Sequence, residues 1–289
     1  MTRHEGSMVR RRVLGKQLRL LREQAGLTLE EAAPKLHFSV SKLSRIENAQ
    51  VVIDIHWVKS MLDVYDVGGL RWTELLELAQ EANQPGWWQA YGLGNNSYIA
   101  FETEASRLHE FTVSYVPGIL QTADYARALM RAVPLQRTVE QLENEVAARI
   151  YRQRRLTAAD NPLNVIVVID EPALHRPVGG AEVQQEQLGH IAELAELDTV
   201  ALHVLPTAVG AHAAMPSGFM ILNFEDLDEP DMAYVEHTLG ALSLDKAGDV
   251  TRARLTFERL LSDALDPTAS LALVRRLAGG EFIRRSGRG

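Results

Sequence analysis

The strongest constraint on the fold lies between residues 14 and 55, where short breaks separate segments that carry the signals of helix starts and ends. The first segment has one apolar face with helical spacing, formed by Leu14, Leu18 and Leu21. After Gly26, Thr28 and Glu31 form a Thr-x-x-Glu capping box, which satisfies two backbone donors at the start of a second helix. Ser39 is the cap residue of a third helix. This order of signals predicts a helix-turn-helix arrangement.

The rest of the sequence predicts two more helices at the amino end and a mixture of helices and strands beyond residue 97. Apolar spacing predicts a fourth helix over 55–65 and a fifth around 72–79. Turn-forming residues are dense over 84–97. Further helices are predicted over 122–133, 139–157, 181–197, 246–265 and 268–277, and strands over 164–170, 199–206, 218–224 and 232–238.

These elements predict two domains, for which 289 residues are sufficient. Residues 1–83 are expected to form an all-α head of about five helices. Residues 84–97 are interpreted as a connector, residues 98–280 as a larger α/β regulatory domain and residues 281–289 as a basic tail. No apolar run is long enough to span a bilayer and no signal peptide is recognised, so a cytoplasmic location is expected.

Charge is distributed unevenly along the chain. The formal net charge is −8, which by itself argues against a nucleic-acid partner. Residues 1–53, however, contain ten Lys and Arg against five acidic residues and carry +5, so the remainder carries −13. A basic head on an acidic chain can approach phosphates through one segment while the rest of the chain stays soluble.

The predicted third helix has the composition of a DNA-reading helix. Leu43 and Ile46 form its apolar side, and Lys42 and Arg45 lie away from it. Residues 18–28 (LRLLREQAGLT) and 39–48 (SVSKLSRIEN) resemble the two signature stretches of the XRE, or Cro/repressor-like, DNA-binding domain. The resemblance spans residues 10–66. It implies binding of double-stranded DNA, with the third helix in the major groove.

The resemblance also implies which residues contact DNA. Bases are expected to face Val40, Ser41 and Arg45, and the phosphate backbone to lie near Thr28, Lys42 and Asn48. Ser39 and Ser44 complete the candidate surface; the alternative for Ser44 is a solvated helix position. The Arg10-Arg11-Arg12 run at the start of helix one is a candidate phosphate grip, or alternatively a solvated tail.

The resemblance also implies an ion pair beneath this surface. In the XRE family, an Arg of helix one pairs with the Glu at the end of the third helix. The matching residues are Arg22 and Glu47, for which a structural rather than a base-reading role is expected.

Three departures from the family pattern predict weaker anchoring to the DNA backbone. Leu29 replaces the usual Gln or Ser, and Pro34 should kink or shorten helix two. Residues 47–52 (ENAQVV) lack the Gly and the basic residues that normally follow Glu-Asn. Affinity is therefore expected to depend on homodimer formation or on a partner.

The larger domain resembles the one that follows XRE heads in WhiJ-like, antitoxin-like regulators of actinomycetes. The matching stretches are 116–126 (VPGILQTADYA) and 170–179 (DEPALHRPVG), with shorter matches at 204–206 and 217–219. The resemblance implies regulation and a small acidic partner protein encoded nearby, but it names no ligand.

Several polar residues of this domain are candidates for a partner or effector site. Asp170, Glu171, His175 and Arg176 follow a predicted strand, where α/β proteins often bind ligands. A cluster near residue 150, consisting of Arg149, Arg152, Arg154 and Arg155, is either an acidic-partner site or a solvated helix face. No catalytic motif, phosphate-cradling glycine loop or metal-ligand spacing is recognised, so no catalytic residue, cofactor or metal is expected.

The sequence therefore predicts a dimeric, sequence-specific transcriptional regulator whose second domain binds a protein or small-molecule effector. Two alternatives stay open. One is an antitoxin-type protein that sequesters a small partner and uses DNA binding for autoregulation, and the other is an enzyme that carries a DNA-binding head.

Overall fold

The computed structural model describes residues 8–94, 97–133, 135–227 and 229–281. Within these ranges the chain forms a helical head followed by a larger α/β domain built on a six-stranded mixed sheet. The predicted fold class is thus confirmed. The chain divides into two compact units, and the described part of the first comprises residues 8–90, 94 and 97–104 with 226, 227 and 229. The second unit takes the remaining described residues.

The described part of the first unit contains six α-helices. They are α1 (Met8–Gln24), α2 (Leu29–Lys35), α3 (Val40–Glu47), α4 (Ile55–Val64), α5 (Gly69–Asn83) and α6 (Ser97–Glu104). Both predicted caps are present: the Thr28 hydroxyl accepts from the Glu31 amide at 3.2 Å, and the Ser39 hydroxyl accepts from the Lys42 amide at 3.1 Å. Helix α2 ends one residue beyond Pro34, in keeping with the short helix expected from that proline.

The core of the first unit fixes how α3 lies on α1. Leu14, Leu18, Leu43 and Ile46 are all fully buried in one cluster. Gly15 makes the close crossing possible, because a Cβ at this position would lie 2.6 Å from the carbonyl oxygen of Glu47. The end of α3 is therefore in direct backbone contact with α1.

The second unit contains the sheet and six more helices of the described chain. The strands are β1 (Arg107–Thr112), β2 (Asn164–Asp170), β3 (Val200–Leu205), β4 (Phe219–Phe224), β5 (Glu229–His237) and β6 (Gly240–Leu244). The helices are α7 (Ala123–Ala132), α8 (Val139–Arg152), α9 (Glu171–His175), α10 (Ala181–Leu194), α11 (Ala247–Asp263) and α12 (Pro267–Arg276).

The sheet has the order β3-β2-β1-β4-β5-β6. Strands β1, β2 and β3 are parallel, β4 runs antiparallel to β1, and β5 and β6 form an antiparallel pair. Phe111 of β1 lies opposite Val168 of β2 and Phe219 of β4, and α11 packs Phe257 against this cluster. The carboxyl ends of β1, β2 and β3 consequently meet at one edge of the sheet.

Four elements are absent from the sequence prediction, among them the short helix α9. Helix α6 begins at the end of the expected connector, and β1 and β6 were not recognised as strands. The predicted helix over 139–157 is α8 followed by a 3₁₀ turn, Gln153–Thr157. Within the described residues, no helix is long and apolar enough to cross a membrane.

Candidate functional site

The outer face of α3 is the candidate DNA-binding surface. Leu43 and Ile46 are fully buried, whereas Ser41 and Arg45 are exposed and Val40 is 39% exposed. Arg45 makes no hydrogen bond or ion pair with the described residues, so its guanidinium donors are available. An exposed, unengaged arginine on a capped helix can donate to a base edge or a phosphate.

Lys42 lies on the same helix but in a different environment. Its Nζ atom is 3.8 Å from the centre of the Phe38 ring and 3.5 Å from that of Trp57, and the two rings meet edge to face. Cation–π contacts of this kind are worth about 0.5–2 kcal/mol and restrict the lysine side chain. Sequence reasoning missed this cage, because Trp57 comes from α4.

Several predicted contact residues shape the ends of the helices. The hydroxyl groups of Thr28 and Ser39 accept backbone hydrogen bonds as caps of α2 and α3. Asn48 donates its side-chain amide to the carbonyl oxygen of Ser44 at 2.8 Å and lies 3.3 Å from the Ser44 hydroxyl. These hydrogen bonds therefore fix the ends of α2 and α3, whose backbone amides and side chains would contact DNA.

Arg22 and Glu47 form a bidentate ion pair beneath the surface. The Nε–Oε1 distance is 2.7 Å and the Nη2–Oε2 distance is 2.9 Å, with the two side chains 7% and 3% exposed. Arg22 also donates from Nη1 to the carbonyl oxygen of Leu27 at 2.7 Å. The hydrogen bonds to Glu47 raise the pKa of Arg22. The pair joins α1, the turn after it and the end of α3.

The side chains of Arg10, Arg11 and Arg12 lie on α1. Arg10 forms ion pairs with Glu81 of α5 and with Glu104 of α6, the latter at 2.9 Å. Arg11 is buried, and the guanidinium carbon of Arg12 is 5.5 Å from the Phe101 ring. The Arg10 guanidinium is engaged within the first unit, where two carboxylates already balance its charge.

In the second unit, three of the four candidate effector residues lie together. The Glu171 carboxylate accepts the Thr207 amide at 2.8 Å and is 3.4 Å from Nε2 of His175. Although burial opposes it, the hydrogen bonds from Thr207 and His175 lower the pKa of Glu171. Burial raises the pKa of Asp170, against the charge of a nearby histidine. Arg176 is exposed.

This cluster joins the carboxyl ends of neighbouring parallel strands. Glu171 follows β2, and Thr207, which sequence reasoning did not single out, follows β3. The contact ties two loops where α/β proteins commonly bind ligands. In the described part of the chain, no group of three His, Asp or Glu residues is arranged to hold a metal ion.

The helical head, with its exposed α3 face, and the α/β domain beyond it define a helix-turn-helix DNA-binding regulator. A family model described as Helix-turn-helix domain matches residues 13–75, which supports this class. A second model, Domain of unknown function (DUF5753), matches residues 96–276. Because this match covers more than half of the chain, the protein belongs to the DUF5753 family. No curated protein and no solved structure matches the chain.

Proposed function

We propose that the protein is a sequence-specific regulator of transcription that places α3 in the major groove of double-stranded DNA. The observation that carries this proposal is the exposed guanidinium of Arg45, which has no partner among the described residues and projects from a helix held at both ends. Arginine is the side chain that most often reads guanine, through paired hydrogen bonds to the base edge.

The residues of α3 and its caps take distinct roles in this proposal. Arg45, Ser41 and Val40 face base edges, with Val40 offering apolar contact to a thymine methyl group. Lys42 contributes its charge at the phosphate backbone from between its two aromatic rings. The capped start of α3 adds backbone amides and the positive end of the helix dipole.

We further propose that the regulator binds as a homodimer. The support is the small number of basic groups near α3: residues 49–52 contain none, and Arg10 is paired with two carboxylates. A single head with few phosphate contacts gains affinity when a second head binds the same DNA. Two α3 helices would then contact half-sites about 34 Å apart.

The second unit is proposed to bind the effector, a small molecule or a small acidic partner protein, and to act by binding rather than catalysis. The Glu171 carboxylate supports a binding role rather than a catalytic one. It already accepts a hydrogen bond from the Thr207 amide and contacts His175, so these contacts occupy it. The resemblance to WhiJ-like, antitoxin-like regulators favours the partner protein as the alternative effector.

Selection of bound sequences from a genomic DNA library by the purified full-length protein tests the proposal. The expected result is one motif, present as two inverted copies whose centres are about 10 base pairs, or a multiple of that, apart. Equal recovery of all fragments, or recovery of none in the presence of any co-encoded partner, would overturn it. A single motif without an inverted copy would support sequence-specific DNA binding but contradict the symmetric dimer.

A further inference from the structure

A groove lies between α7 and α8 in the second unit. Its volume is about 420 Å³, within the range of about 300–1,000 Å³ that is usual for small-molecule sites. Val146, Ala147 and Ile150 line it from α8, where their spacing places them on one face of the helix. Ala123 lines it from α7, and Ala147 is exposed. The groove therefore has an apolar floor that a ligand can reach from solvent.

Two tyrosine rings line the groove near the end of α8. The ring centroids of Tyr91 and Tyr151 are 6.0 Å apart, with an angle of 50° between the ring planes, and both side chains are partly exposed. This separation leaves no room for a third ring between them. An aromatic ligand would instead lie beside the pair, offset or edge to face, which are the arrangements that aromatic rings prefer.

Arg154 supplies positive charge beside these rings. Its guanidinium carbon is 4.8 Å from the centre of the Tyr151 ring, and its side chain is exposed. Within the described part of the chain, this side chain makes no hydrogen bond or ion pair. The cation–π contact restricts the guanidinium but leaves its N–H donors available to a planar anion.

The other charged groups that line the groove balance each other. Arg127 donates to both carboxylate oxygens of Glu143, at 2.8 Å in each case, and also pairs with Asp124. The hydrogen bonds between Arg127 and Glu143 raise the pKa of Arg127 and lower that of Glu143. Because Glu143 is engaged by Arg127, the charge left unbalanced in the lining is that of Arg154.

The remaining arginines near residue 150 do not line the groove. Arg149 donates to the side chain of Gln121 at 2.7 Å, and Arg152 is buried. Arg155 donates to a backbone carbonyl oxygen at 3.0 Å. The four arginines singled out from the sequence therefore have different environments, and Arg154 is the member of the cluster that a ligand in the groove would meet.

We propose that this groove binds the effector of the regulator and that the effector is an aromatic carboxylate. The inference rests on the regulatory role proposed for the second unit. The ring would lie on the apolar floor against Tyr91 and Tyr151, and the carboxylate would accept paired hydrogen bonds from Arg154. A carboxylate brings the single negative charge that Arg154 can balance. The chain first enters the second unit at Tyr91, so the ligand would contact the segment that joins the two units.

Isothermal titration calorimetry of the full-length protein with sodium 2-naphthoate tests the site. Saturable binding is expected. The uncharged 2-naphthamide keeps the rings and should bind at least about tenfold more weakly, because it cannot form the ion pair with Arg154. Acetate keeps the charge without the rings and should not saturate the protein. Equal affinity for 2-naphthoate and 2-naphthamide, or no saturation by 2-naphthoate up to about 10 mM, would overturn the proposal.

Two variants at exposed positions locate the binding. Arg154→Gln should weaken 2-naphthoate at least about tenfold and leave 2-naphthamide unchanged. Ala147→Leu enlarges a side chain of the floor and should weaken both compounds. Arg252→Gln is the control, since Arg252 is exposed on α11, forms no ion pair with the described residues and does not line the groove. Equal losses in Arg154→Gln and Arg252→Gln, or full binding by Ala147→Leu, would contradict the site.

The oligomeric state distinguishes a ligand groove from an interface between two copies of the chain. Size-exclusion chromatography with light scattering should give the same mass for the wild type, Arg154→Gln and Ala147→Leu. A dimer that Ala147→Leu converts into monomers would identify the groove as a dimer interface and overturn the ligand site.

DNA binding measured in parallel separates this inference from the function on which it rests. Saturating 2-naphthoate should change operator affinity at least about fivefold in the wild type and not in Arg154→Gln. Binding of 2-naphthoate by a protein that binds no DNA would retain the site and reject the proposed function. Specific DNA binding that 2-naphthoate leaves unchanged would retain the function and reject the groove as its effector site.

Discussion

At the scale of single residues, the two cations of α3 differ in what surrounds them. Arg45 has no partner within the described chain, whereas Lys42 is fixed between the Phe38 and Trp57 rings. A planar guanidinium with several donors distinguishes bases by geometry, while an ammonium acts as a point charge on phosphates. We therefore expect sequence preference to depend on Arg45 and general DNA affinity to depend on Lys42.

Arg45→Ala tests the first expectation. It should weaken specific binding by roughly 1–3 kcal/mol and relax preference at one base position, because a base-edge contact is lost. Binding to an operator and to each single-base variant measures both effects. Arg71→Ala is the control, since Arg71 is exposed on α5 and paired with Glu74. An equal loss on every DNA sequence would make Arg45 a phosphate contact instead.

Arg22→Ala tests the buried ion pair. The change leaves the Glu47 carboxylate buried without its partner, and such losses destabilise by about 3–5 kcal/mol. Urea unfolding followed by tryptophan fluorescence reports on the first unit, because all four Trp residues lie within its first 90 positions.

The control for Arg22→Ala is Arg19→Ala on the same helix. Arg19 pairs with Glu23 at the surface, so its loss should change stability by less than about 1 kcal/mol. Similar unfolding midpoints for the two variants would show that the Arg22–Glu47 pair does not support the head.

At the scale of secondary structure elements, the sequence predicted what local signals specify. Helices α2, α3 and α4 begin at side-chain caps, so the starts of α2 and α3 could be located from Thr28 and Ser39. Strand β1 could not be located from the sequence, because Arg107, His109 and Glu110 interrupt its apolar pattern. It is a strand because β2 and β4 pair with it on either side.

The candidate sites, too, could be predicted only where local sequence determines them. The exposed face of α3 follows from helical periodicity, but the partners of its neighbours are distant in sequence. Glu81 and Glu104 lie 71 and 94 positions from Arg10, and no periodic pattern indicates that they bind it. The groove between α7 and α8 likewise exists only after the two helices have packed together and the Tyr91 ring has met that of Tyr151.

Gly15→Ala tests the contact between α1 and the end of α3. The added methyl group would lie 2.6 Å from the Glu47 carbonyl oxygen, a backbone atom that can move only if α3 shifts. We expect the head to lose about 1–3 kcal/mol of stability and to bind DNA more weakly.

Gly189→Ala is the matched control for Gly15→Ala. Gly189 is also helical, but a Cβ at that position meets nothing within 4 Å. Removing the flexible residue should therefore stabilise α10 by about 0.5–1 kcal/mol, measured by thermal unfolding followed by circular dichroism. Stabilisation by Gly15→Ala as well would contradict the close crossing.

At the scale of the whole molecule, charge separates along the chain. Residues 1–53 carry +5 and the remainder −13, so most of the chain is repelled by DNA and the net attraction comes from the first 53 residues. Arg10 is paired with Glu81 and Glu104, which reduces the positive charge at the start of α1 that can neutralise phosphates. Specific binding by such a molecule should therefore depend less on salt than binding by a protein with an extended basic surface.

Lys42→Gln and Arg10→Gln distinguish phosphate contacts made by α3 from those made by the amino end of α1. Each neutralised phosphate contributes about 0.9 to the slope of log affinity against log salt, so loss of Lys42 from both heads of a dimer should reduce that slope by about 1.8. Arg10→Gln should leave the slope nearly unchanged, since its guanidinium already binds two carboxylates. Operator affinity measured over a series of chloride concentrations gives both slopes. A larger reduction for Arg10→Gln than for Lys42→Gln would mean that DNA displaces Glu81 and Glu104, and that the amino end of α1, rather than α3, anchors the backbone.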